Sequence, residues 1–492
     1  MSDIKSTLEL IAEARDGAIE EYQNGLKKSF TVGSGLINYD LQRPEVRTVP
    51  FFTPLLDMIP RVKGNGGSST HWKSISTFDS NNISASLGEG QRGGNKNIPV
   101  TDHVALYKGL GIDDFVTYEA EFAAEGFSDV LTLAVESNLY ALQQKEETKV
   151  LGGNASIDLG TTPTPTASVV STGGTLGAQQ NVYCVALTLE GYKYSSISGG
   201  IALTYTRTNA DATTTTITGF HAAKSLVASP TWSSGSTDLI NASVTVVNGA
   251  MGYAWFWGTT GNEKLGAITL INSVAIKAAA TGTQNISAVT DNSSTNALDF
   301  DGIVTTMITS GSGSYLYSMP TGTSGVGTGL TSNGGGGIVE FDNAVTTMWT
   351  NYKTMPTKAL VSGKMKSYIA KLVAANGGAP LVRYDMNAAG DHTMIAGNEV
   401  THIMSPLGMK MELVLQPDIP DNTIVLMAQS LPPQYFKMNN LGTTLVLKQR
   451  RDYYAKEWPQ VSRNYQYGTY VDEVLQNYFP PAFGMINNIA IS

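Results

Sequence analysis

The stretch 86–97, SLGEGQRGGNKN, places Gly88, Gly90 and Gly93 at the spacing of a dinucleotide-binding turn. Such a turn binds a pyrophosphate only when a strand precedes the first glycine and a helix begins at the last. Residues 83–87 could form the strand, but the proline, asparagines and β-branched residues after the last glycine do not start a helix well. No acidic residue ends a second parallel strand. The context therefore favours a flexible hairpin tip.

Other residue types that carry chemistry do not form a site pattern. No two of the five histidines are spaced i, i+4, and the HExxH, GxSxG and Walker motifs are absent. The single cysteine, Cys184, lies in a strand-like run and is typical of a small buried residue. The richest segment for metal or catalytic chemistry contains Asp391, His392, Glu399 and His402. Ordinary polar contacts explain isolated histidines more simply, so we expect no enzyme activity, no cofactor and no metal.

Composition limits the classes of protein that fit. The 492 residues suffice for roughly two to four domains. Only 15% of residues are charged, against about 25% in a typical soluble protein, which favours burial of large faces against other subunits. The net charge of −9 argues against a dedicated nucleic-acid reader. Because the sequence lacks a signal-peptide pattern and a run of about 18 apolar residues, we expect a chain kept in a reducing cytoplasm and away from membranes.

The first 150 residues predict a helix, an arm, a hairpin and a longer helix. Residues 6–24 have an amphipathic helical pattern, and residues 30–64 form an apolar, proline-broken arm that we expect to lie on another surface. Residues 70–78 and 98–117 are predicted strands, so the polar stretch between them is a hairpin tip. Residues 119–150 carry the strongest helix pattern. Its predicted buried face consists of Phe127, Val130, Leu131, Ala134, Val135, Leu139 and Leu142.

Composition changes at residue 163. Residues 163–295 contain only five basic and five acidic residues, and their short strand-like runs predict an inserted all-β sandwich. Trp255 and Trp257 alternate with Phe256, which fits a core face and an outer face better than a ligand cleft. After the insert, helices and strands do not form a regular βαβ repeat, so the fold class is α+β. The predicted elements there are helices at 299–308, 341–352 and 363–375, a glycine-rich loop at 321–337, a strand at 358–362 and strands through 400–492.

The order of these parts resembles the major capsid proteins of tailed bacteriophages, those with the Hong-Kong-phage-type fold. ASLGEGQRGG followed by ALYKGLGIDDFVTYEAEF resembles the family's extended loop, and FSDVLTLAVESNLYALQQKEETKVLGG resembles its spine helix. TNALDFDGIVTTM, KALVSGKMKSYIAKLV and YVDEVLQNYFPPAFG resemble the axial domain and the last peripheral strands. The resemblance covers roughly residues 30–160 and 296–492. The insert instead resembles an immunoglobulin or fibronectin type III module, chiefly in VYCVALTLEGYKYSS and VNGAMGYAWFWGTTGN.

The resemblance implies a division of the chain and a structural function. The implied parts are an N-terminal helix and arm (1–60), an extended loop hairpin (61–118), a peripheral domain with the spine helix (119–162), the inserted sandwich (163–295), an axial domain with peripheral strands (296–450) and a C-terminal peripheral segment (451–492). The family's subunits form hexamers and pentamers of an icosahedral head shell around phage DNA. The implied location is the virion, after assembly in the host cytoplasm. The implied partners are further copies, a scaffolding protein, the portal and a decoration protein, with only non-specific contact to DNA.

The resemblance also gives the glycine-rich stretch a role. The family's extended loop reaches over an adjacent subunit, and glycines supply the conformational tolerance that such a tip needs. The implied intersubunit residues are Gly88, Glu89, Gly90, Arg92, Gly93 and Lys96. Some family members cross-link a loop lysine to an asparagine, but no matching partner can be placed here, so we expect non-covalent contacts. Two alternatives remain: an extracellular surface-layer or adhesin protein that binds carbohydrate or a host surface through the sandwich, and a metabolic enzyme.

Overall fold

The computed structural model divides the chain into two units. One comprises Met1–Val49 and Tyr118–Leu133, and the other comprises Pro50–Thr117 and Ala134–Ser492. The structure describes residues 9, 11–20, 48–75, 86–95, 98–125, 129–209, 211–232, 235, 237–375, 400–431, 442–460 and 462–491, and the backbone alone of 382–386 and 392–396.

The secondary structure mixes helices and strands, which confirms the α+β class. The helices are α1 (11–20), α2 (Pro54–Met58), α3 (Tyr118–Ala123), α4 (Val130–Gly152), α5 (Leu189–Tyr194), α6 (Ile303–Ile308), α7 (Val339–Tyr352) and α8 (Gly363–Ala375), with short 3-10 helices at Ile286–Ala288 and Pro480–Ala482. The strands are β1 (Arg61–Lys63), β2 (Ser69–Ser74), β3 (Thr101–Leu106), β4 (Lys108–Thr117), β5 (Thr166–Val170), β6 (Asn181–Leu187), β7 (Tyr205–Thr208), β8 (Thr214–Ile217), β9 (Leu239–Ser243), β10 (Gly252–Gly258), β11 (Lys264–Thr269), β12 (Ser273–Ile276), β13 (Tyr315–Ser318), β14 (Lys358–Val361), β15 (Val382–Met386), β16 (His392–Ala396), β17 (His402–Met404), β18 (Lys410–Leu415), β19 (Ile424–Met427), β20 (Leu445–Glu457), β21 (Asn464–Asn477) and β22 (Phe483–Asn487).

The first unit is mostly helical where it is described. Helix α1 exposes every described side chain, including Ile11 and Ile19. A helix this short is marginal in water without a packing partner. Over the described residues 11–20, the amphipathic pattern predicted for 6–24 thus forms a helix whose apolar side chains are exposed.

The second unit contains a four-stranded sheet and the predicted hairpin. The strand order is β1-β20-β21-β4, with β1 parallel to β20 and the other pairs antiparallel. Strands β2 and β3 pair antiparallel, with Ser69 opposite Leu106 and Ser74 opposite Thr101. This pairing confirms the hairpin. The second predicted strand, 98–117, is divided at Tyr107 because β3 pairs with β2 and β4 pairs with β21.

A six-stranded mixed sheet forms the centre of the second unit, in the order β13-β22-β19-β14-β18-β17. Its central strands are buried on both faces, as expected from continuous apolar runs such as ALV and IVLM. Helices α7 and α8 pack on one face, where the buried side chains include Phe341, Ala359, Met365, Ile369 and Leu426. Helix α6 packs on the other, where they include Ile303, Met307, Leu360, Val425 and Met485.

The insert contains two three-stranded antiparallel sheets, β11-β10-β6 and β12-β9-β5. One apolar cluster joins them, including Cys184, Ile240, Trp255, Trp257 and Ile276. The alternation of Trp255 and Trp257 with Phe256 is confirmed. The predicted outer face is wrong, because all three side chains are buried and Phe256 packs in a second cluster with Ile201, Leu265, Ile286 and Val289.

The long helix predicted over 119–150 is interrupted. Helix α3 ends at Ala123, and α4 begins at Val130. The cause lies at Asp129, whose Oδ1 accepts from the backbone N of Thr132 at 3.2 Å and whose Oδ2 accepts from the Thr132 hydroxyl at 2.7 Å. This side chain caps a new helix, and these hydrogen bonds lower the pKa of Asp129.

The predicted buried face of this helix is only partly correct. Leu142 is buried, whereas Leu131 and Leu139 are half-buried, and Phe127 lies outside the described residues. The most buried part of α4 is its C-terminal half, which buries Glu146 and Glu147 together with apolar side chains. The helix therefore packs through a mixed polar face.

The predicted arm over 30–64 is described from residue 48 onward, and there it is not extended throughout. Residues 54–58 are helical, and 61–63 form a strand of the chain's own sheet. Leu55 and Ile59 are buried in the core cluster of the same unit, so this segment packs on its own chain. Residues 30–47 lie outside the described residues.

Candidate intersubunit loop

The tip of the β2–β3 hairpin is described over residues 86–95, and every residue there is exposed. The backbone N of Gln91 donates to the carbonyl of Gly88 at 3.1 Å, which closes a four-residue turn. Gly90 is the third residue of that turn and has a φ of +77°. Positive φ at this position is the requirement that selects glycine in a type II turn. Residues 91–95 contain no helix, so the described tip lacks the helix N-terminus that a phosphate site needs.

The tip carries opposite charges that do not pair with any described residue. Glu89 and Arg92 are exposed, and neither forms an ion pair or side-chain hydrogen bond with a described residue. Gly88 and Gly93 flank them in the same exposed stretch. Lys96, the sixth predicted residue, lies outside the described residues. Five of the predicted residues thus lie together on an exposed segment with both signs of charge.

The stem of the hairpin is anchored by aromatic contacts on one side. The ring of Trp72 stacks on His103 with centroids 5.2 Å apart and meets the edge of Tyr478 at 6.0 Å. The amide Nε2 of Gln476 donates to the Thr70 hydroxyl at 2.8 Å. The stem also leaves apolar side chains in water: Val100, Val104 and Leu106 are each more than half exposed.

The two legs of the hairpin are fixed to the four-stranded sheet at the base. The first leg follows β1, where the backbone N of Gly64 donates to the carbonyl of Gln449 at 2.6 Å, and the second leg continues into β4 of the same sheet. The backbone N of Tyr107 donates to the carbonyl of Ser68 at 3.1 Å, which joins the two legs. A Cβ atom at Gly64 would lie 2.3 Å from the hydroxyl of Tyr107, so glycine permits this close approach. The hairpin therefore leaves the sheet with both legs held.

A buried charged cluster lies beneath this base. Arg61 on β1 donates from Nη2 to Glu146 of α4 at 2.6 Å and to the hydroxyl of Tyr453 at 2.5 Å. The Tyr453 hydroxyl donates to the other oxygen of Glu146. Arg61 Nη1 is 3.8 Å from the carboxylate of Glu473 on β21. Burial and the adjacent charge of Glu146 raise the pKa of Glu473 well above its usual range.

A second buried carboxylate holds the short helix that precedes the hairpin. Glu147 accepts from the backbone N of Leu55 at 2.8 Å and of Leu56 at 2.9 Å, the first-turn donors of α2. Gln416 donates to the same carboxylate at 2.9 Å. Burial raises the pKa of Glu147 to about 7, although these three hydrogen bonds oppose the shift. Neighbouring positions of α4 thus fix α2 and β1, the two elements just before the hairpin.

The described histidines do not assemble into a metal site. Among the described residues no group of three or more histidine, cysteine or acidic side chains is placed to hold an ion. His402 is exposed beside Thr401, and Asp391, Glu399 and the side chain of His392 lie outside what is described. Cys184 is fully buried, which raises the pKa of its thiol and confirms the prediction of a core residue. No described helix is both long and apolar enough to cross a membrane.

Sequence reasoning missed the buried charges of α4. The run KEETK at 145–149 lies outside the predicted buried face of the helix, yet Glu146 and Glu147 are 0% and 1% exposed. The partners of Glu146 are Arg61 and Tyr453, which lie 85 and 307 positions away in the sequence. The signal in the sequence was Arg61, a basic residue that follows the largely apolar run PLLDMIP. A single basic residue does not identify its partner.

No protein-family model and no curated protein matches the chain. Solved structures are similar to it at 8% identity. For one from Mycobacterium phage Bobi, the match covers 92% of this chain and 96% of that chain, with a TM-score of 0.42. For the capsid of a native GTA particle the shares are 94% and 99%, with a TM-score of 0.43. For the capsid of the cyanophage P-SCSP1u they are 94% and 98%, with a TM-score of 0.40.

Proposed function

We propose that the chain is a structural shell subunit, a major capsid protein that forms hexamers and pentamers of an icosahedral head around phage DNA. The observation that carries the proposal is the hairpin: its base is hydrogen-bonded to the four-stranded sheet, and its exposed tip carries charges of both signs that have no partner among the described residues. The resemblance of the sequence to tailed-phage capsid proteins points to the same function.

The physical reason is that the tip does little for its own fold. Residues 86–95 bury no side chain, so their glycines and charges stabilise the subunit only slightly. Glu89 and Arg92 gain most when a neighbour supplies the opposite charge in a partly desolvated contact. The exposed Val100, Val104 and Leu106 on the stem gain when a neighbour covers them, at about 25 cal/mol for each Å² removed from water. Both requirements are met by a loop that lies over an adjacent copy.

The proposal extends to partners, location and the insert. The subunit pairs with further copies, is guided by a scaffolding protein, meets a portal and a decoration protein, and ends in the virion. It contacts DNA without sequence preference, in keeping with a net charge of −9. Within this proposal, residues 163–295 form a sandwich of the immunoglobulin or fibronectin type III kind. The two sheets that share the Trp255 cluster support that assignment.

Electron microscopy of the purified protein, expressed with and without a co-expressed scaffolding protein, tests this function. We expect closed shells or rings of five and six. Flat arrays would instead support the surface-layer alternative, and small discrete oligomers under both conditions would contradict a shell function. Nuclease-resistant DNA in particles from an infected host would distinguish a virion head from a shell with other contents.

A further inference from the structure

Lys149, near the C-terminal end of α4, is held between two carboxylates. Its Nζ atom lies 2.6 Å from Glu190 Oε1 and 2.6 Å from Asp299 Oδ2. The side chains of Lys149, Glu190 and Asp299 are 16%, 10% and 7% exposed. They come from three segments: the spine helix α4, the helix α5 inside the insert, and the stretch between the insert and α6. One amine and two carboxyl groups therefore meet where water has little access.

The surroundings of this group are apolar. Val150, Leu189 and Phe300, each adjacent in sequence to one of the three residues, are all buried in the same core cluster. Burial raises the pKa of Asp299 more than the charge of Lys149 lowers it. Burial lowers the pKa of Lys149 and the two carboxylates raise it, with a net rise. The ion pair is thus the starting state, and transfer of one proton across 2.6 Å gives the neutral amine and acid that a low-dielectric site tolerates.

We propose that Lys149 and Asp299 join in an intramolecular isopeptide bond, with Glu190 as the proton shuttle. The Lys149 amine attacks Cγ of the protonated Asp299 carboxyl group, so an Nζ–Cγ bond forms. Glu190 takes a proton from the nitrogen and returns it to the departing oxygen. The Cγ–O bond breaks and one water leaves, which makes the net change ammonium plus carboxylate to amide plus water. Glu190 ends as it began, and no oxidant or reductant takes part.

The other ion pairs among the described residues each lack one of these features. Lys193 meets Asp418 at 2.5 Å, but its side chain is twice as exposed as that of Lys149 and has one carboxylate partner in the described structure. Lys364 meets Asp421 from a side chain that is 78% exposed. Arg61 lies between two buried carboxylates, but a guanidinium that stays protonated is not a nucleophile. Lys149 combines a primary amine, a target carboxyl group, a second carboxyl group and burial.

The bond has a structural consequence. Lys149 and Asp299 are 150 positions apart and lie on either side of the insert. A covalent link there closes the insert into a loop and ties its exit to the spine helix. It also limits the conformations of the unfolded chain, which is how cross-links stabilise a fold. The proposal is independent of whether the chain forms shells.

Intact mass spectrometry of the denatured full-length protein tests the proposal, followed by digestion and peptide mapping. We expect a mass lower by one water than the sequence requires, and a branched peptide that contains both 149 and 299. Asp299→Asn should give the same final mass as the wild type, because the amide then loses ammonia in place of water. Glu190→Gln and Lys149→Arg should each keep the full mass of their own sequences.

The matched control is Lys193→Arg, which alters a neighbouring lysine ion pair and should still lose one water. Wild-type protein with its full sequence mass, and with unlinked peptides around 149 and 299, would overturn the proposal and leave an ion pair only. Loss of water that persists in Lys149→Arg would equally overturn it, since the cross-link would then lie elsewhere. Both readouts use denatured protein, so the mass and the peptide map of the wild type test the proposal even if a variant folds poorly.

Discussion

The hairpin tip and the C-terminal half of α4 use charge in opposite ways. At the tip, Glu89 and Arg92 are exposed and have no partner in the described structure. On α4, Glu146, Glu147 and Lys149 are buried or nearly so, and each has at least two polar partners. The charges of α4 therefore determine how the chain folds on itself. The exposed charges of the tip can instead pair with charges of another molecule.

The difference has an energetic basis. A buried charge costs several kcal/mol unless hydrogen bonds and an opposite charge compensate for it, so its partners must stay in place. An exposed charge costs almost nothing to leave alone and contributes about 0–1 kcal/mol when paired. We therefore expect substitutions in the buried cluster to lower the free energy of unfolding. Substitutions at the tip should weaken assembly and leave the free energy of unfolding nearly unchanged.

The largest effect on folding is expected for Arg61→Ala. This change leaves the buried carboxylates of Glu146 and Glu473 without their cation. Removal of one member of a buried ion pair costs about 3–5 kcal/mol, so the thermal midpoint should fall sharply. Differential scanning calorimetry of the purified variant measures the shift.

Arg450→Ala is the matched control, because Arg450 pairs with Asp472 at 2.9 Å on the same sheet from an exposed side chain. We expect a loss of less than about 1 kcal/mol there. Equal destabilisation by the two variants would contradict the distinction between buried and exposed charge.

The next largest loss of folding stability is expected in the most buried part of α4. Leu142→Ala removes a side chain that is 1% exposed and should cost about 2–5 kcal/mol. Leu131→Ala removes a half-buried side chain and should cost less than half as much. Chemical denaturation of the two variants compares them directly, and a larger loss for Leu131→Ala would show that the N-terminal part of α4 is the main packing surface.

Sequence patterns predicted the elements after the insert well and the buried charges poorly. The helices Val339–Tyr352 and Gly363–Ala375 follow from apolar periodicity within a few residues of each bound. The break before Val130 was missed because the cap at Asp129 lies inside a continuous helical pattern. The cluster around Glu146 could not be predicted, since charged helix residues usually face water and their partners come from distant parts of the chain.

A smaller effect is expected from pH. Burial raises the pKa of Glu147 to about 7 in the folded chain, above the ordinary value of 4.5. The folded state therefore binds this proton more tightly, and the resulting stability is fully present below about pH 4.5 and is lost as the pH rises through about 7. From pH 5 to pH 8 this residue should lower the free energy of unfolding by on the order of 1–3 kcal/mol.

Unfolding of wild-type and Glu147→Gln protein across this pH range isolates the contribution. Glu473 and Asp299 also have raised pKa values, so the difference between the two proteins is the quantity to compare. The variant should show the shallower decline between pH 5 and pH 8. Parallel curves would mean that Glu147 does not titrate there.

The smallest effect on folding, and the largest on assembly, is expected at the tip. Glu89→Ala with Arg92→Ala removes two exposed charges that have no partner in the described structure, so the free energy of unfolding should change by less than about 0.5 kcal/mol. If these charges pair across a subunit boundary, each lost contact costs about 2–5 kcal/mol, and a closed shell repeats that loss at every copy. Circular dichroism should show a folded chain, and sedimentation should show free subunits or small oligomers.

Lys277→Ala with Asp291→Ala, two exposed charges of the insert, is the control and should sediment like the wild type. Wild-type sedimentation of the tip variant would refute an intersubunit loop, whereas its global unfolding would make the tip part of the subunit core.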